Sequence, residues 1–171
     1  GLVDKLAARG ISVFGPTKAA AQIEISKSFA LELMQEAHIP HPESHVFLNP
    51  EAVGRFAQKY KKPIVVKADG LAQGNGVRLC YSPKEAERAA HLWWELYGEQ
   101  PLVVQELLEG KEISVFCVTD GDNISSLVAA CDYKRVGEGD TGTMTGGMGS
   151  YAWPEFWTEE LEQEILRCII R

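Results

Sequence analysis

The spacing of apolar positions alternates between helical and strand periods along most of the chain. Leu2, Val3, Leu6 and Ala7 recur at helical spacing with Gly10 placed as a C-cap, and residues 11–14 follow as a short strand stopped by Gly15-Pro16. Thr17 is placed to cap a short helix over 19–25, and Ser26 to cap a second in which Phe29, Ala30, Leu33, Met34 and Ala37 share one face. Lys27 falls in the first turn of that second helix, where the helix dipole disfavours a cation unless solvent or an anion attends it. After the turn Ile39-Pro40-His41-Pro42, residues 46–48 read as a strand and Pro50–Tyr60 as a helix with proline at its first position.

The pattern is most distinctive over 63–80. Ile64, Val65 and Val66 form a β-branched run ending in Lys67, glycines follow at 70, 74 and 76, and a second apolar run closes at Cys80. A strand fixes the direction of the lysine, and glycines let backbone N–H groups approach an anion. The stretch reads either as a phosphate-covering flap between two strands or as an ordinary hairpin with a long tip and a solvated lysine. It holds neither G-x-x-x-x-G-K-[ST] nor G-x-G-x-x-G leading into a helix. Ser82-Pro83 then starts a helix with Ala86, Ala89, Ala90, Trp93 and Trp94 on one face, and a strand over 102–105 completes a β-α-β-β-α-β lobe.

From Glu112 the pattern shifts to longer strands, 113–119 and 124–131, joined by a polar turn over 120–123, and a second lobe begins. Residues 132–149, with Lys134, Arg135, Asp140 and six glycines, read as a loop too long for a simple connection. Thr158 caps a last helix that aligns Leu161, Ile165 and Ile169. Both ends are expected to be cut, since the chain starts on an uncapped helix and stops at Arg171 with no partner element.

Composition narrows the class. Over 171 residues, 45% hydrophobic and 24% charged is the balance of a folded soluble domain, and a net charge of −7 speaks against a general nucleic-acid or anionic-membrane surface. No apolar run approaches the ~18–20 residues that span a bilayer, and no signal-peptide pattern opens the chain, so a cytoplasmic location is expected. Cys80, Cys117, Cys131 and Cys168 form no C-x-x-C pair and read as buried free thiols ahead of a zinc or disulfide site. Pro40 and Pro42 keep His38, His41 and His45 off one helical face, which makes them a turn, and the tryptophans read as core ahead of a base-stacking platform.

Five stretches, in their order and spacing, resemble the ATP-grasp superfamily and within it the phosphoribosylamine–glycine ligases (glycinamide ribonucleotide synthetases) of purine biosynthesis. They are Phe14-Gly15-Pro16-Thr17; Ala20-Ala21-Gln22; Ser26-Lys27-Ser28-Phe29; Val65-Val66-Lys67-Ala68-Asp69-Gly70-Leu71-Ala72; and the run from Tyr133-Lys134-Arg135 through Gly139-Asp140-Thr141-Gly142 to Thr145-Gly146-Gly147-Met148-Gly149. The resemblance covers nearly the whole chain and implies an α+β ATP-grasp fold. Its parts would be the end of a preceding α/β domain (1–16), linking helices (17–44), the small lobe (45–108) and part of an antiparallel-sheet catalytic lobe (109–171).

The same resemblance implies roles. Lys27 and Lys67 would contact the α- and β-phosphates of ATP, the phosphate supplying the anion that the helix terminus at Lys27 lacks. Gly74, Asn75 and Gly76 would lie in the flap over them. Gln105, Glu106, Leu107 and Leu108 match the hinge that meets the adenine edge, and Glu112 the acid on the ribose hydroxyls. Asp132, Lys134, Arg135, Thr145, Gly146, Gly147 and Met148 match the region for glycine and 5-phosphoribosylamine, with Lys134 and Arg135 as the catalytic candidates.

The implied reaction is ATP-dependent ligation through a glycyl phosphate, with Mg²⁺ (or Mn²⁺) held by acids expected outside this chain, in a monomeric parent enzyme. The chain alone is then expected to show little or no turnover. Two departures from the family pattern stand out: Asn75 where a lysine is usual, and Thr143-Met144 where Pro-Asn is usual. A non-catalytic ATP-binding module and an ATP-grasp ligase with another acceptor are the competing readings.

Overall fold

The computed structural model describes residues 1–72, 76–139 and 141–170. The chain forms two compact units, 1–108 and 109–171.

In the first unit, α1 (Leu2–Ala7), α2 (Gln22–Ile25) and α3 (Lys27–Glu36) precede β1 (Ser44–Phe47), α4 (Pro50–Tyr60), β2 (Ile64–Ala68), β3 (Val77–Cys80), α5 (Pro83–Tyr97) and β4 (Leu102–Glu106). The β-α-β-β-α-β order expected from the pattern is present, and its strands form one antiparallel sheet in the order β1-β4-β2-β3. The helices start where side-chain caps exist. Asn49 Oδ1 accepts from Ala52 N at 2.9 Å before α4, and Ser82 Oγ from Glu85 N at 3.3 Å before α5, each followed by proline.

Alternation along the strands decides what each sheet face does. Ile64, Val66, Ala68, Cys80, Leu102 and Val104 pack with Val53, Ala57, Ala86, Ala89, Ala90 and Trp93 of α4 and α5 into one core. The Trp93 indole N–H is satisfied inside it by the Val66 carbonyl at 3.3 Å. Val65 and Lys67, one residue out of phase, belong to the opposite face. Their cross-strand partners Gln105, Val103, Leu79 and Val77 share that face.

Several expectations for this unit are corrected. Among the described residues, 11–14 pair with no strand, so their β-branched residues have no ladder to join. The helix expected over 19–25 is regular only from Gln22; Thr17 still caps the turn before it, its Oγ accepting from Ala20 N at 3.1 Å. Ser26 caps α3 as expected, with Oγ accepting from Phe29 N at 3.1 Å, but Leu31 is the residue of α3 that is buried, while Phe29 and Leu33 stay exposed. His45 lies in β1, its ring against Phe56, instead of in the turn.

The second unit holds β5 (Ser114–Phe116), β6 (Val128–Gly137), β7 (Thr141–Ala152) and α6 (Glu159–Ile165), which runs into a π-helical turn at Leu166–Ile170. The sheet order is β5-β6-β7, all antiparallel. Thr158 caps α6, its Oγ1 accepting from Leu161 N at 3.3 Å. The expected hairpin around 120–123 shrinks to one bridge between Thr119 and Ile124, and β5 pairs instead with β6.

The largest correction concerns the expected loop over 132–149. It is a long hairpin: Asp132 opposes Ser150, Tyr133 opposes Gly149 and Gly137 opposes Thr141, with two register shifts between. The glycines hide a strand because the ladder to β6, and not side-chain alternation, holds β7 in place. Cys80 and Cys131 are buried as expected, whereas Cys117 is exposed just past the three-residue β5, and Cys168 is half-buried.

Candidate functional site

The site in the first unit grows from the end of β2. The ladder continues one step past the strand, where Asp69 N donates to the Pro101 carbonyl at 3.0 Å. The chain then turns at Gly70, whose φ of +85° only glycine adopts without strain. Gly76 re-enters the sheet, its carbonyl accepting from Ala68 N at 2.8 Å. A Cβ at Gly76 would lie within 2.4 Å of the Ala72 Cβ, so the base of the flap closes only because that position is glycine.

Ser26, Lys27 and Ser28 open α3 with no acidic residue in its first turn. The anion comes from elsewhere in the chain. Oδ1 of Asp69 accepts from the backbone N–H of Lys27 at 2.5 Å, of Ser28 at 3.3 Å and of Gly70 at 3.0 Å. Oδ2 accepts from Ser26 Oγ at 3.0 Å and Ser28 Oγ at 2.6 Å. Asp69 is 7% exposed. Burial pushes its carboxyl pKa up, but the Ser28 and Ser26 hydroxyls and the backbone donors outweigh that and hold it below the usual carboxylate value.

The Lys27 ammonium donates to the Gly70 carbonyl at 2.8 Å. Burial lowers its pKa, with the Asp69 charge opposing. Lys67 is lowered too, first by burial and then by the charge of Lys27. Two partly desolvated cations within electrostatic reach of each other, with one carboxylate already committed to a helix terminus, leave unmet positive charge. An anionic ligand would relieve it.

The terminus of α3 does not lack an anion, since the Asp69 carboxylate sits where a phosphate was expected to supply it. The sequence places Asp69 one residue beyond β2 without showing its partners. The readable signal was an acid one residue beyond a strand together with a Ser-Lys-Ser helix start that has no acid of its own.

The remaining expected residues fall into separate groups. Gly74 and Asn75 lie outside the described residues. In the first unit, Gln105 donates through Nε2 to Ser44 Oγ at 2.8 Å, and Glu106 Oε1 accepts from Glu43 N at 2.9 Å. Leu107 is half-buried and Leu108 exposed. In the second unit, Lys134 pairs with Glu112 and lies 3.2 Å from Asp132 Oδ2, and these acids raise its pKa, Glu112 most.

Lys134 and Arg135, adjacent on β6, have different hydrogen-bond partners. Arg135 donates through Nη1 to the Gly142 carbonyl at 2.9 Å across the hairpin. Thr145 Oγ1 donates to the Lys134 carbonyl at 2.9 Å and accepts from Gly147 N at 3.1 Å, which ties the Thr145-Gly146-Gly147 turn to β6. Met148 is exposed. Among the described residues, no three His, Cys, Asp or Glu side chains converge as a metal site.

The chain is similar to known proteins over most of its length. The family described as phosphoribosylglycinamide synthetase, ATP-grasp (A) domain, matches residues 25–171. The phosphoribosylamine–glycine ligase of a Nostoc species is 46% identical over 164 residues, which cover 94% of this chain and 39% of that protein. The crystal structure of phosphoribosylamine–glycine ligase from Thermotoga maritima superposes with a TM-score of 0.78 at 36% identity, over 95% of this chain and 43% of the other. D-alanyl-alanine synthetase A from Vibrio cholerae, with a TM-score of 0.71 at 16% identity over 97% of this chain and 52% of its own, shares the fold alone. The chain thus spans well under half the length of the ligases it matches.

Proposed function

The chain belongs to the phosphoribosylglycinamide synthetase ATP-grasp (A) domain family, and on that premise we propose that it carries the nucleotide-phosphate site of a ligase forming glycinamide ribonucleotide. The observation that carries the reading is the pair of partly buried lysines, Lys27 and Lys67, gathered at the base of a glycine flap around a committed carboxylate.

In the reaction, a carboxylate oxygen of glycine attacks the γ-phosphorus of ATP and ADP leaves. The amine of 5-phosphoribosylamine then attacks the acyl carbon, phosphate departs, and the nitrogen loses a proton. Phosphoryl transfer of this kind depends on position and charge. Lys27 and Lys67 neutralise nucleotide phosphates, and Gly70 and Gly76 let the flap backbone come close. Gln105 to Leu108 offer backbone groups and apolar surface to adenine. Glu112 takes the ribose hydroxyls, with Lys134, itself held by Asp132, fixing its carboxylate. Arg135 and the Thr145 to Met148 turn take the substrate carboxylate and sugar phosphate.

Mg²⁺ enters this reading with the nucleotide, where it would neutralise phosphate charge. The described residues hold no acid cluster fitted to it. The same reading places the enzyme in the cytoplasm as a monomer; no described helix is long and apolar enough to cross a membrane.

A chimera tests the assignment. This chain replaces the matching segment of the Nostoc ligase, and formation of glycinamide ribonucleotide is assayed with glycine, 5-phosphoribosylamine and MgATP. Turnover that is lost in Lys67→Ala supports the reading. A well-folded chimera without turnover, or turnover indifferent to Lys67, contradicts it. The chain alone is expected to release no glycine-dependent phosphate.

A further inference from the structure

Lys67 and Asp69 stand two residues apart at the end of β2, so they project from the same side of the sheet, the side opposite α4 and α5. Asp69 reaches across 41 to 43 residues of sequence to α3, and its five hydrogen bonds use both carboxylate oxygens. The backbone N–H groups of Lys27 and Ser28, which would make an anion cradle at the start of a ten-residue helix, are spent on it. The Lys27 side chain turns back along the same clasp to the Gly70 carbonyl.

From this geometry we propose that Asp69 is a positioning residue for the nucleotide. It fills the α3 terminus, so the phosphates meet the ammonium groups of Lys27 and Lys67 and not the helix backbone, and it locks the first turn of α3 to the flap base so that Lys27 is aimed before the nucleotide arrives. The inference rests on the nucleotide-site reading above. It explains why a carboxylate, which repels phosphate, sits beside two phosphate-binding lysines: its charge is absorbed by five donors, and what remains is their fixed geometry.

The test is calorimetric titration of MgATP into this chain and its variants. Asp69→Asn keeps the shape but removes the charge, and is expected to weaken binding about tenfold. Ser28→Ala removes the donor at 2.6 Å and is expected to weaken it several-fold; it serves if Asp69→Asn does not fold. Because Asp69 acts through Lys27, either change made in a Lys27→Ala background is expected to cost little more than Lys27→Ala alone. A core change on α4, Val53→Ala, sets the additive baseline.

Wild-type affinity in both Asp69→Asn and Ser28→Ala, or losses that add in full to that of Lys27→Ala, overturns the inference while leaving the nucleotide site standing. A wild-type chain that binds no MgATP overturns the site reading and this inference with it.

Discussion

The Lys27 ammonium lies 2.8 Å from the carbonyl of Gly70, a residue 43 positions away in sequence. That bond joins a helix start to a turn which only glycine adopts without strain, because Gly70 has φ +85°. Gly70→Ala is therefore expected to destabilise the first unit by about 1–2 kcal/mol, and to weaken nucleotide binding as Lys27 loses its anchor. Urea denaturation gives the first number and titration of MgATP the second. A variant as stable as the parent would mean that the turn relaxes without cost.

The core makes a sharper demand. Leu102 is fully buried on β4 between β1 and β2, so Leu102→Ala is expected to cost about 2–5 kcal/mol. Leu48 is 70% exposed, and Leu48→Ala is expected to change stability by less than about 0.5 kcal/mol. Denaturant midpoints of the two variants check the contrast.

Asp69 also fixes a pH dependence. Its folded pKa lies below its unfolded value, so its stabilisation is complete above the ordinary carboxylate value of about 3.9 and is lost as pH falls through the lower folded value. The gap in denaturation midpoint between the parent and Asp69→Asn is expected to be largest near pH 7 and to narrow towards pH 3. A gap that widens in acid would reverse the assignment.

The thiols differ in reactivity. Burial pushes the Cys80 thiol up to about 11, with Glu85 adding to the rise, whereas Cys117 is exposed. Under native conditions at pH 8, a maleimide is expected to label Cys117 well before Cys80, as mapped by peptide mass spectrometry. Equal rates would show that the α4–α5 core opens readily.

Local signals carried the first unit far. Asn49-Pro50 and Ser82-Pro83 start α4 and α5 because cap and proline both act on adjacent residues, and the β-branched run at 64–66 shows β2 directly. What escaped depends on distant partners. Ile11 to Phe14 has strand composition but no strand beside it among the described residues, and β7 has loop composition but a strand, β6, beside it. Phe29 and Leu33 sit at helical spacing yet stay exposed, since spacing shows that a face is apolar and not what covers it.

The site divides the same way. Lys27 and Lys67 were legible because each stands at an element end within a recognisable motif. Asp69 was not, because its five donors come from α3 and from Gly70, and a carboxylate beside two lysines looks like an ordinary counter-ion until those bonds are seen. Glu112 and Lys134 each lie in a stretch of recognisable pattern, while their pairing crosses 22 residues that no short motif spans.

Nucleotide phosphates are proposed to bind at Lys27 and Lys67. Calorimetric titration of MgATP into the parent chain and into Lys67→Ala tests this assignment most directly. The parent is expected to bind saturably and the variant to lose at least about tenfold in affinity, roughly the 1.4 kcal/mol of one charge-assisted contact. Equal affinity in a folded Lys67→Ala, or no binding by the parent, would contradict it.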